Sequence, residues 1–86
     1  MAYDFKMSRI QDLRIKKGLS QSQLAKAADM NYRVLQDYEI RHKKIEGAKL
    51  KTLVNLANAL NCQIYELLED EELKRLMQDY EESLEN

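Results

Sequence analysis

Proline and tryptophan are missing from this 86-residue chain, cysteine and phenylalanine occur once each, and glycine occurs twice. Each scarcity closes off a class of protein. Without proline, and with glycine only at Gly18 and Gly47, the chain has few enforced breaks and little of the turn chemistry that β-hairpins need. A lone thiol, Cys62, excludes an internal disulfide and cannot build a thiolate metal site by itself. Its expected role is that of a small buried hydrophobe. His42, the only histidine, sits in a basic stretch without metal-ligand partners. No apolar run approaches the ~20 residues of a membrane span, and the opening MAYDFKM lacks the apolar core of a secretory leader. A cytoplasmic protein with no membrane contact is therefore expected. There is no glycine-rich loop to cradle a phosphate, and no nucleophile, base and orienting group can be assembled. Neither a cofactor, a metal nor catalysis is expected.

What is present is helical material. The chain is 44% apolar and rich in Leu and Ala, which suits a small bundle, and its length allows one domain with a barely sufficient core. The net charge of −1 conceals a segregated distribution. Residues 6–51 carry twelve Lys/Arg against five Asp/Glu, whereas residues 52–86 carry two against nine. The first stretch is thus net +7 and attracts polyanions whatever the overall balance.

Apolar spacing and end signals divide the chain into helices. Residues 1–7 read as a loose arm, with Tyr3 and Phe5 able to pack on the body. A first helix is expected from Ser8 to just before Gly18, with Ile10, Leu13 and Ile15 facing inward. A second covers 21–28 and a third 32–40, followed by a basic loop at 41–47 in which Gly47 can take a special backbone angle. A fourth covers 48–60 with an apolar stripe of Leu50, Leu53, Val54, Ala57 and Leu60, and Asn61 is placed for a left-handed cap. A fifth begins near Gln63 and buries Ile64, Leu67 and Leu68. Beyond it, Leu73, Leu76, Met77, Tyr80 and Leu84 recur on one helical stripe, and acidic residues 69–72 stand where the positive end of a helix favours them. The organisation expected is all-α: a five-helix body at 8–69 and an acidic C-terminal helical extension at 70–86.

The most informative stretch is LSQSQLAKAADMNYRVLQDYE, from Leu19 to Glu39. Ser20 and Gln23 have the spacing of a capping box, Ala25 keeps a crossing helix close, and Asn31 caps the next helix. At 100° per residue Val34, Leu35 and Tyr38 share one side of that helix; Tyr32, Arg33, Gln36, Asp37 and Ile40 lie broadly on the other. A capped helix showing Tyr, Arg, Gln and Asp on one face is equipped to read base edges.

These residues carry a family resemblance. From Ile10 to Leu68 the chain resembles the helix-turn-helix domain of the lambda-repressor/Cro superfamily, also called XRE-like. The pieces that match are LRIKKGLSQSQLA, the YE that closes the third helix, and LKTLVNLANALNCQIYELL. The resemblance implies a five-helix lambda-repressor-like fold and a transcriptional regulator of double-stranded DNA, a repressor in the main, whose third helix enters the major groove. It implies that Gln21 faces a phosphate, that Asn31, Tyr32, Arg33, Gln36 and Asp37 lie where the family reads bases, and that Arg14 and Glu39 form a structural salt bridge. The chain departs from the family pattern in having Asp29 where a turn glycine is usual, Asp37 on the reading helix, Ile40–Arg41 in place of a glycine-containing exit, and a longer loop before Leu50.

Several roles stay open on sequence grounds. Arg33 suits guanine O6 and N7 but equally a phosphate, since most protein–DNA hydrogen bonds go to the backbone. Gln36 suits adenine, or is a solvated helix residue. Tyr32 suits a phosphate, a thymine methyl or a covering position over the turn. Lys43 and Lys44 are expected to anchor phosphates. The partner expected besides DNA is a second copy, because one recognition helix covers few bases, with Ile64, Tyr65, Leu68, Leu73, Leu76, Met77 and Tyr80 as dimerisation candidates. The alternatives are that the tail folds back on its own chain, or that it grips a protein partner, as in an antitoxin.

Overall fold

A computed structural model of the chain describes residues 7–84. Five helices follow one another, α1 (Arg9–Lys16), α2 (Gln21–Ala27), α3 (Tyr32–Glu39), α4 (Leu50–Leu60) and α5 (Glu71–Ser83), with single 3-10 turns at Ile45–Gly47 and Ile64–Leu67. The described residues contain no strand, and none of their helices is long and apolar enough to cross a membrane. Tyr3 and Phe5 lie outside the described residues.

Local chemistry starts the helices. Ser8 Oγ accepts from the N–H of Gln11, Asn31 Oδ1 from Arg33 and Asp70 Oδ1 from Leu73. Ser20 and Gln23 complete their box in both directions, at 3.0 and 2.8 Å. Each such cap is worth about 1 kcal/mol. The ends share one device. After each of α1 to α4 a residue adopts left-handed backbone: Gly18 (φ 76°), Asp29 (52°), Arg41 (62°) and Asn61 (52°). The N–H one residue further on then reaches back to satisfy a helix carbonyl, as Leu19 does to Arg14, Met30 to Ala25, His42 to Asp37 and Cys62 to Ala57. Gly47, which can take a special backbone angle, sits in a 3-10 turn, and in that loop Arg41 takes the left-handed position.

The core lies where α1 to α4 and the second 3-10 turn meet, around Ile10, Leu24, Leu35, Leu56 and Leu67, with Tyr38, Ile45, Leu60 and Leu68 closing it. Buried Ala25 and Ala28 let α3 and α4 pack close on α2. Three expectations are corrected. Ile15, Leu50 and Val54 face solvent, and Leu56 takes the central place on α4, which begins two residues later than expected. The expected fifth helix is only the 3-10 turn Ile64–Leu67. Glu46 Oε2 accepts from the N–H groups of Glu69 and Asp70 at 2.7 and 2.8 Å, so those groups cannot donate back into a continuing helix. The apolar stripe of α5 is also divided. Its half-buried side carries Lys74, Met77, Gln78 and Glu81, with Met77 on the core and Glu81 accepting from the N–H groups of Ile64 and Tyr65. Leu73, Leu76, Tyr80 and Leu84 stay 40, 60, 59 and 67% exposed.

Candidate nucleic-acid interface

The short turn between α2 and α3 leaves one long side of α3 in solvent. Leu35 and Tyr38 hold the opposite side in the core, and Val34 packs at its margin. Tyr32, Arg33 and Ile40 are exposed, while Gln36 and Asp37 are half-buried. Asn31 is exposed, and its Oδ1 is used in the cap.

Behind this surface lies a charged anchor. Glu39 is 2% exposed and its carboxylate accepts from Arg14 Nε at 2.7 Å, Arg14 Nη2 at 3.2 Å and Gln21 Nε2 at 2.9 Å. Arg14 also donates to the carbonyl of Leu19 at 2.8 Å, which ties the α1–α2 turn to the same point. A fork of two parallel bonds is the strongest geometry available to a guanidinium and a carboxylate. From Gln21 the network runs outward: Tyr32 Oη donates to Gln21 Oε1 at 3.1 Å, and Gln36 Nε2 lies 3.2 Å from Tyr32 Oη and 3.4 Å from Gln21 Oε1. The amide of Gln21, expected to face a phosphate, is therefore turned toward its own chain.

Lys43 and Lys44 are exposed on the loop beyond the C-terminal end of α3. The backbone carbonyl of Asp37 accepts from the N–H groups of His42 and Lys43, and its carboxylate lies 3.6 Å from His42 Nδ1. On the far side, the loop meets the start of α5 across a cleft of about 380 Å³ lined by Arg41, Lys43, Lys44, Ile45, Glu46, Glu69 and Asp70. Arg41 Nε donates to Glu69 Oε1 at 2.8 Å. Basic and acidic halves that are separate along the chain thus touch in space.

Among the dimerisation candidates, Leu68 is buried, and Ile64 and Met77 pack against the chain's own core. Tyr65 is half-buried, and only Leu73, Leu76 and Tyr80 of that set remain in solvent. Cys62 packs on the core, and burial, with Glu66 nearby, pushes its thiol up to about 11, so it stays a protonated apolar group at neutral pH. Sequence reading had no means of finding Gln21 as a bridge to Glu39, Glu46 as the staple of the α5 junction, or Glu81 as a cap for the 3-10 turn. All three act across long sequence separations, with no local spacing to mark them.

The profile of the Cro/C1-type HTH DNA-binding domain matches residues 9–72. The chain belongs to that family. No curated protein and no solved structure matches it. A Cro/C1-type domain is a DNA-binding module of transcription regulation, and families of this kind are typically non-enzymatic. In this Cro/C1-type domain α2 and α3 form the helix-turn-helix, α3 being the helix that such motifs lay in the major groove while the preceding helix crosses the backbone.

Proposed function

We propose that this Cro/C1-type domain binds a specific two-fold duplex site as a homodimer and represses transcription by occupying it. The observation that carries the reading is the solvent face of α3, where Tyr32, Arg33 and Gln36 stand together above a fixed anchor. Arg33 is the group for guanine O6 and N7, its exposed fork being free to enter a groove. Lys43 and Lys44 neutralise phosphates flanking the groove, and Asn31 presents its amide nitrogen to another. Asp37, held opposite His42, orders the loop. Occupying DNA is sufficient for repression, because steric exclusion requires no surface beyond the bound one.

The second copy is supported by α5. A helix anchored by Met77 and Glu81 leaves Leu73, Leu76, Tyr80 and Leu84 as a contiguous apolar strip. A two-fold axis through that strip buries it against itself and duplicates α3, which gives the selectivity that one helix lacks. On this reading 8–69 is the reading body and 70–86 the assembly element.

Duplex affinity measured against salt tests the DNA reading. The slope of log affinity on log salt is expected to be steeply negative, and Lys43→Ala with Lys44→Ala to flatten it by about 2, at roughly 0.9 per lost phosphate contact. An affinity that does not respond to salt contradicts it.

A further inference from the structure

Gln36 displays a hydrogen-bond polarity that is set from the buried interior. A carboxylate accepts and never donates, so Glu39 obliges Gln21 to turn its amide nitrogen inward, at 2.9 Å. That leaves Gln21 Oε1 facing α3, and a carbonyl oxygen also only accepts. Tyr32 Oη therefore donates to it at 3.1 Å, and Gln36 must present Nε2, which lies 3.4 Å from Gln21 Oε1 and 3.2 Å from Tyr32 Oη. Reversing the Gln36 amide would set two carbonyl oxygens against each other. Gln36 Nε2 is thus held toward acceptors of its own chain, and Oε1 is the atom left for a partner.

We infer that Gln36 reads DNA as an acceptor alone. It selects a base with an exocyclic amine on its major-groove edge, adenine N6 or cytosine N4, over guanine O6 or thymine O4. Gln21 is the positioning residue that enforces this, and the buried Arg14–Glu39 pair is the origin of the polarity. The inference rests on α3 being the helix that enters the major groove. It departs from the usual two-bond contact of Gln with adenine, which needs the amide nitrogen free to donate to N7. An acceptor-only Gln36 accepts adenine and cytosine alike.

The test is a panel of operator duplexes carrying each base in turn, bound by the wild type, Gln36→Ala, Gln21→Ala and Gln21→Met. Loss of discrimination in Gln36→Ala identifies the base pair that residue 36 reads. There the wild type is expected to favour adenine and cytosine over guanine and thymine by about tenfold. Both Gln21 variants, which release the amide, are expected to reduce that ratio to about twofold or less, with affinity for random duplex unchanged and the chain still folded at the assay temperature, although the loss of one donor to Glu39 lowers its melting temperature. A preference for adenine alone, for guanine or thymine, or one that survives loss of Gln21 overturns the inference while leaving DNA binding intact. Absence of duplex binding by the wild type overturns the DNA reading and this inference with it.

Discussion

Glu39 is the residue on which most of the helix-turn-helix converges. Its carboxylate is almost fully desolvated, with the Arg14 side chain 12% exposed beside it, and it joins α1, α2 and α3 through three donated bonds. Taking two charges out of water is costly, and the fork, together with the Gln21 amide and the Leu19 carbonyl, offsets that cost. Glu39→Ala leaves Arg14 buried without its counter-charge. Urea unfolding of that variant is expected to show a loss of about 3–5 kcal/mol. A loss below about 1 kcal/mol, the scale of a surface pair, would mean that the anchor contributes little. Because an isolated buried charge pair gives weaker support than apolar residues of the same shape, the geometry of the reading face is the better physical reason for an ion pair here.

At the scale of elements, the ends of α1 to α4 show how local chemistry was legible and how tertiary chemistry was not. Ser20, Asn31 and Asn61 could be assigned from the sequence because a cap depends on one residue and the helix end beside it. The fate of 63–68 could not, since the side chain that ends the turn belongs to Glu46. The docked side of α5 was hidden for the same reason. Its apolar stripe pointed to one face, whereas the chain holds the helix by a neighbouring face centred on Met77 and Glu81. Asp29 gives a direct test of the end motif. It is exposed and left-handed at φ 52°, a conformation that costs most L-residues roughly 1–2 kcal/mol and Asp somewhat less. Asp29→Gly removes that cost, partly offset by glycine's greater freedom when unfolded. A net gain of about 0.5–1 kcal/mol is expected, raising the melting temperature by a few degrees. An unchanged or lower melting temperature would show that the Asp side chain contributes to the turn.

For the whole molecule, the arrangement of charge and apolar surface bears on both DNA and assembly. The basic loop at 41–44 lies beside α3, but Arg41 pairs with Glu69, and the acidic start of α5 borders the same cleft. The positive region seen along the chain is therefore trimmed in space on the side where α5 begins, which leaves Arg33 on α3 and the loop residues Lys43 and Lys44 as its exposed part beside the reading helix. The exposed strip on α5 adds a second constraint, for it needs a cover that the described part of one chain does not provide. The proposed dimer through α5 would cover that strip and would offer two copies of α3 to one duplex. The most direct test is selection from a random duplex library by the wild type, run beside Leu76→Glu with Tyr80→Glu. The wild type is expected to enrich an inverted repeat with half-site centres about 34 Å apart, one helical turn of DNA, and the double variant to bind a single half-site weakly. Enrichment of an unrepeated site by the wild type, or an inverted repeat bound equally well by the double variant, would contradict a dimer that reads DNA through paired α3 helices and assembles through α5.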